Sequence, residues 1–345
     1  MIKVALVRGK YLNNFEGQNY NFNKKEIELT GISSFFPIHH NFPFPIIKLP
    51  SLADLGNNRL LKFAANRILG DSQMLFGLEK LAEKFDIFHT ADPHYYYSYQ
   101  LARLRKKRLI KKLIVTSWET IPFNNERIKK KREIKRFVLK QADYFICYTS
   151  KAKECLIKEG VDKRKIEVVR LGVDLDKFKI RNLKFKNTSQ NAKSINVLFA
   201  GRMVKEKGID DLKKAIVNLP DVNLIVANSI NYQEMPRVYN QADILIMPSK
   251  KTKTWEEQYG MVLVEAMASG LPIVAYDTGA ISEVLGETGI MVKENDIVFL
   301  IRNLKKLISD KDLRTKIGRI ERKRAKLEFD SIKTNKKITE IYKKI

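Results

Sequence analysis

Short apolar runs alternate with helix-periodic segments along almost the whole 345-residue chain. No other feature restricts the fold as strongly, because a strand–helix–strand series builds parallel sheets with crossover helices. The pattern predicts strands over 2–7, 28–33, 87–90, 113–117, 144–148 and 166–170. Helices are expected over about 73–85, 95–106, 125–141 and 151–160, the last with Ser150 as N-cap and Gly160 as stop.

The series is interrupted at 177–194, a polar stretch rich in Lys and Asn without periodicity. It reads as an interdomain linker. A second series follows, with strands over 196–200, 223–227, 244–247, 272–276 and 290–292. Helices are expected over 209–218, 261–269, 282–285, 296–309 and about 312–328. The expected division is 1–176, linker 177–194, 195–325, and a basic helix in 326–345 that can cross back to the first domain. The fold class is α/β, with two facing, Rossmann-like, doubly wound domains. Ligands of such sheets bind outside the carboxyl ends of the strands, which puts the expected crevice between the domains.

Composition narrows the function classes. No uninterrupted apolar run approaches the 18 or so residues that a spanning helix needs, and the start of the chain lacks the features of a secretory signal. Cys147 and Cys155 form neither a CxxC pair nor a metal-ligand spacing, so a reduced, cytoplasmic setting is expected. The net charge of +26 admits nucleic acid, an anionic membrane or anionic small substrates, and equally a set of solvated lysines. Two basic runs, 103–112 and 127–136, carry interspersed Leu, Ile and Phe. Helices of that kind can lie on anionic headgroups, making the inner face of a cell membrane a candidate partner.

Two segments carry chemistry. In 199–212, a strand runs into Gly201, Arg202 and Lys207 occupy the loop, and a helix starts near Gly208. Backbone freedom at Gly201, two fixed cations and a helix N-terminus make a diphosphate site; the alternative is an ordinary loop with solvated charges. In 254–272, Glu257 lies in a loop, Gly260 opens a helix, and Met261 and Val262 present leading amides. Glu265 interrupts the otherwise apolar run MVLVEAMA. A buried carboxylate needs partners, and ligand hydroxyls would serve.

These segments, in this order, resemble the retaining glycosyltransferases of family 4, with the GT-B fold. The resemblance extends through 239–249 and 270–283 and, in the first half, through 86–92, Thr116-Ser-Trp-Glu119 and Leu171-Gly-Val-Asp174. It implies a nucleotide-sugar donor, transfer to a glycan or lipid-linked acceptor, and no metal or other cofactor. By position, Arg202 and Lys207 would grip the donor diphosphate and stabilise its departure. Glu257 would contact the transferring sugar and Glu265 the ribose hydroxyls. Gly201, Gly260, Met261, Val262 and, from the first domain, Gly9 would complete the donor site. The chain departs from the pattern after Gly9, where Lys10 replaces a common second glycine, and at Ala91, where many members carry a second histidine.

Glu16, His89, Asp92, His94, Trp118 and Glu119 are candidates for the acceptor side. His89 reads equally well as a satisfied core histidine. His39-His40 lacks a third ligand, and Tyr95-Tyr96-Tyr97 reads as a helix face over the core. The competing functions are a nucleotide-sugar epimerase or hydrolase of related fold, a basic nucleic-acid-binding protein, and a non-catalytic binder. Recognised nucleic-acid modules are not seen, so no nucleic-acid partner is expected.

Overall fold

The computed structural model describes residues 1–55, 67–179, 194–217, 219 and 222–345. The chain forms two compact units. One contains Met1–Arg170 together with Ile332–Ile345, and the other contains Leu171–Ser331. The first unit thus closes before the expected 176, and the second retains 326–331. Of the expected linker, 177–179 and 194 belong to the second unit, and 180–193 lie outside the described residues.

Among the described residues, the first unit has seven parallel strands: β1 (Ile2–Gly9), β2 (Ile27–Ser33), β3 (Ile46–Lys48), β4 (Ile87–Ala91), β5 (Lys112–Ser117), β6 (Tyr144–Cys147) and β7 (Ile166–Val168). Their order is β3-β2-β1-β4-β5-β6-β7, so the direction of winding reverses between β1 and β4. Val7, Phe88, Val115 and Phe145 from the strands pack with Leu101 and Val138 from the helices Tyr96–Lys106 and Lys129–Gln141. The strands are nearly continuous apolar runs because both faces of a parallel sheet are covered.

Among the described residues, the second unit has five parallel strands: β8 (Ile195–Ala200), β9 (Val222–Ala227), β10 (Ile244–Met247), β11 (Ile273–Tyr276) and β12 (Ile290–Val292). In the order β12-β11-β10-β8-β9, the reversal falls between β8 and β10. Val197, Ile246 and Val274 pack there against Leu212 and Leu300 of flanking helices.

Four local expectations need correction. The helix expected over 73–85 is a 3-10 turn at Leu78–Lys84. Gly77 stands at φ +84°, and Leu75 is drawn into an antiparallel bridge with Ser51, which keeps the segment before it extended. The N-cap of helix Ser150–Lys158 is Thr149, whose hydroxyl accepts from the Ala152 amide at 3.1 Å, in place of Ser150. The basic tail does not begin at 326: helix Lys311–Glu328 runs through that point, and a new helix, Ser331–Lys344, follows. The basic run 103–112 is not wholly helical, since helix Tyr96–Lys106 ends within it and β5 begins at Lys112. Strand β3 and the short helices Asn14–Gly17 and Met235–Gln241 carry too little periodicity to be read from sequence.

Candidate functional site

The switch point of the second sheet gathers four of the expected residues into two connected loops. Strand β8 ends at Gly201, and a 3-10 turn over Lys205–Lys207 leads through Gly208 into helix Ile209–Val217. Gly208 sits at φ +72°, and a Cβ there would fall 1.8 Å from the Pro248 carbonyl oxygen at the end of β10. Only glycine allows that approach. The Lys250 amide donates to the Glu206 carbonyl at 2.8 Å, tying the same two loops together.

Across this junction the Lys207 ammonium meets the Glu257 carboxylate, Nζ to Oε2, at 2.5 Å. The Ser249 hydroxyl donates to the same oxygen at 3.3 Å, and the Trp255 ring lies 5.0 Å from Nζ. The Glu257 backbone is fixed independently. Its carbonyl accepts from the Ala280 amide at 2.8 Å, and Gly279, at φ +60°, lies so close that a Cβ would come within 2.2 Å of that carbonyl oxygen. Lys207 and Glu257 are therefore held by backbone packing as well as by each other.

Gly260, at φ +85°, precedes helix Met261–Ala268 and supplies no side-chain cap, and Met261 and Val262 are partly exposed. The leading amides of such a helix, with the positive end of its dipole, suit an anion. Arg202 is largely exposed and has Glu206 as its ion-pair partner at 3.7 Å. It shares the β8 loop with Lys207 and takes no part in the Lys207–Glu257 contact.

Glu265 is buried one turn into the helix. The Tyr239 hydroxyl donates to Oε2 at 2.8 Å, Tyr232 also hydrogen-bonds the carboxyl, and Lys177 lies close by. Burial raises its pKa to about 7 despite those three groups, which pull the other way. Tyr239 fell within a segment singled out from the sequence, yet nothing in its spacing linked it to Glu265. Lys177 and Tyr232 stand in stretches with no periodic pattern.

The acceptor-side candidates occupy the carboxyl ends of the first sheet and mostly have internal partners. Gly9, expected on the donor side, closes β1 at φ +53° against the Gln73 and Tyr97 side chains. Glu16 is buried in an ion pair with Arg8 at 2.7 Å and accepts from the Tyr148 hydroxyl at 2.7 Å. Arg8 is thus a partner missed in the sequence, where one charged residue at the end of the run IKVALVR was the available sign. His89 is a satisfied core histidine: Nδ1 pairs with the Tyr342 hydroxyl and Nε2 with the Thr116 hydroxyl, both at 2.6 Å. Burial pushes its pKa well down, with the Arg8 charge adding to the effect.

Asp92 has a left-handed backbone, φ +47°, and its carboxylate accepts from the Trp118 amide at 3.1 Å. Burial lifts its pKa to about 7. Glu119 gathers the Thr120 and Ile121 amides and the Asn124 and Asn125 side chains, fixing a turn. Trp118 packs edge-on to Tyr148, with centroids 4.3 Å apart. His94 is buried against Tyr95 and held neutral by burial, with Lys131 and Lys135 adding to the effect. Asp71, overlooked in the sequence, accepts from the Tyr96 amide at the start of a helix, and burial raises its pKa to about 6.

Known proteins resemble this chain in sequence and in fold. Residues 36–177 match the family described as Glycosyltransferase Family 4, and residues 221–324 match Glycosyl transferases group 1. The capsular polysaccharide biosynthesis glycosyltransferase CapM of Staphylococcus aureus is 30% identical over 192 residues, covering 46% of this chain and 49% of CapM. The sulfoquinovosyl transferase SQD2 of Arabidopsis thaliana is 24% identical over 280 residues, 69% of this chain and 53% of SQD2. The chain thus spans about half the length of these curated relatives. The structure of Anabaena HepE in complex with UDP-glucose superposes with a TM-score of 0.77 at 15% identity, covering 100% of both chains. That likeness is one of fold.

Proposed function

From the chain's place among the GT-B glycosyltransferases, we infer that it transfers a sugar from a nucleoside diphosphate donor to a glycan or lipid-linked glycan. The observation that carries this reading is the meeting of Lys207 and Glu257 beside the uncapped start of helix Met261–Ala268, at the switch point of the second sheet. On this reading those amides and the Lys207 ammonium share the diphosphate. Arg202, largely exposed on the same loop, is the second cation.

In the reaction, the bond between the anomeric carbon and the diphosphate oxygen breaks, and the oxygen keeps the electron pair. An acceptor hydroxyl oxygen bonds to that carbon and its proton is released. Charge therefore grows on the diphosphate, and preorganised cations and amides stabilise it where it develops. Lys207 would exchange its contact with Glu257 for the diphosphate, freeing Glu257 to accept from sugar hydroxyls. On this reading no metal is required. Retention of anomeric configuration follows the resemblance in sequence, and the anomeric proton coupling of the product tests it.

Turnover of a nucleotide-sugar by purified protein tests the reading. Lys207→Ala and Arg202→Ala should each lower kcat by about 10²–10³, the usual loss on removing a transition-state donor. Near-normal turnover in Lys207→Ala would refute the assignment, and free sugar formed without acceptor would favour a hydrolase.

We further propose that the enzyme works at the inner face of a membrane. Helices Tyr96–Lys106 and Lys129–Gln141 pack together and expose Arg103, Lys106, Lys129, Arg132, Arg136 and Lys140. Leu109, Phe123 and Ile128 are exposed beside the ends of these helices. Lys135 takes no part, being buried against Glu159 at 2.5 Å. Among the described residues, no helix is long and apolar enough to cross a membrane. Vesicles rich in phosphatidylglycerol should carry the protein in flotation at low salt and release it near 0.5 M salt, where screening acts within about 4–5 Å. Equal flotation with neutral vesicles would contradict the electrostatic basis.

A further inference from the structure

The surroundings of Glu265 exceed what helix packing asks of that position. Its side chain is 3% exposed within a helix whose other residues are apolar. Three chain segments converge on it: Lys177 and Phe178, Tyr232, and Tyr239 on helix Met235–Gln241. The Tyr239 hydroxyl donates to Oε2 at 2.8 Å and Tyr232 hydrogen-bonds the carboxyl. Lys177 Nζ lies 4.2 Å from the centre of the Tyr232 ring, and the Phe178 ring packs against both tyrosines.

A purely structural contact would not need this chemistry. Leucine with two phenylalanines would fill similar space and avoid burying an ionisable group, a replacement that is often neutral or stabilising. Instead the cluster sets donors, two phenols and an ammonium, around one acceptor. An ionised carboxylate has about four lone-pair sites, and two phenols occupy two of them. What remains matches a vicinal diol, which offers two hydroxyl donors side by side.

We propose that Tyr239, assisted by Tyr232, is a positioning residue for the nucleoside end of the donor, orienting the Glu265 carboxylate to receive both ribose hydroxyls. This rests on the donor reading above. The phenols fix which carboxylate oxygens and lone pairs face the ligand, so specificity for a ribose diol depends on residues that do not touch it. Lys177, 4.2 Å from the centre of the Tyr232 ring, helps to keep that ring in place.

The test compares ligands that differ only in the diol. UDP, ADP and GDP are titrated calorimetrically, and the tightest binder is compared with its 2′,3′-dideoxy form. Wild type should prefer the diol by on the order of 10–100-fold, as expected for hydrogen bonds to a charged group. Tyr239→Phe keeps the ring and should lower that preference at least about threefold, with the dideoxy ligand bound as in wild type. Tyr232→Phe should act in the same direction, and it carries the test if Tyr239→Phe does not fold. Equal weakening of both ligands in the variants would mean a structural role and overturn the inference. If wild type binds the two forms equally, or binds no nucleoside diphosphate, the donor reading itself fails.

Discussion

Glu265 shows how one residue can be tuned against its own burial. Its folded pKa, about 7, stands above the ordinary 4.5. Between those values the folded chain holds a proton that the unfolded chain has released. Its contribution to stability is full below about pH 4.5 and is lost as pH rises through 7. Tyr239, Tyr232 and Lys177 face the carboxyl and lessen the effect without cancelling it. Glu265→Gln removes the titration, so its melting temperature relative to wild type should rise from pH 5 to pH 8, measured by differential scanning fluorimetry. Donor binding should run the other way, strengthening through pH 7 as the carboxylate ionises. The sequence pointed to Glu265 because a lone acid in MVLVEAMA is conspicuous. Its partners were not legible, since Tyr232 and Lys177 reach it from irregular segments and Tyr239 from a separate helix. Glu16 and His89 likewise suggested a ligand, whereas Tyr148, Tyr342 and Thr116 meet them from other elements and Arg8 meets Glu16 from the end of the preceding strand.

At the scale of elements, strands and long helices were readable because burial on both faces leaves continuous apolar runs and helices keep a 3.6-residue period. Short pieces such as Ile46–Lys48 exist by virtue of their neighbours, and no local pattern announces them. The loops of the site depend on backbone geometry that a sequence signals only through glycine. Gly208 is the sharpest case. Gly208→Ala would force a Cβ into the Pro248 carbonyl at 1.8 Å and strain a left-handed residue. Its cost should reach at least about 2 kcal/mol, read as a lower midpoint in urea denaturation. Lys207, one residue away, should lose its alignment with Glu257, so activity should fall further than the loss of folded protein explains.

For the whole molecule, two doubly wound sheets and a tail helix able to cross back to the first were legible, while the contacts that seat that helix were not. Helix Ser331–Lys344 follows the second unit but completes the first, where Ile338, Ile341 and Tyr342 are buried and Tyr342 reaches the ring of His89. Each such side chain contributes about 1.5–3 kcal/mol by burial. Ending the chain after Ser331 should therefore leave the first unit unable to unfold cooperatively, seen as a lost or broadened calorimetric transition. Tyr342→Phe alone should cost about 1 kcal/mol, the worth of one hydrogen bond.

That return also bears on how the protein is made. Domains ordinarily condense in order as the ribosome releases them. Here the amino-terminal sheet emerges early, and the last segment of its unit follows only after everything in Leu171–Ser331 has been translated. The second unit, continuous in the chain, can mature first and hand back the segment that seals its predecessor.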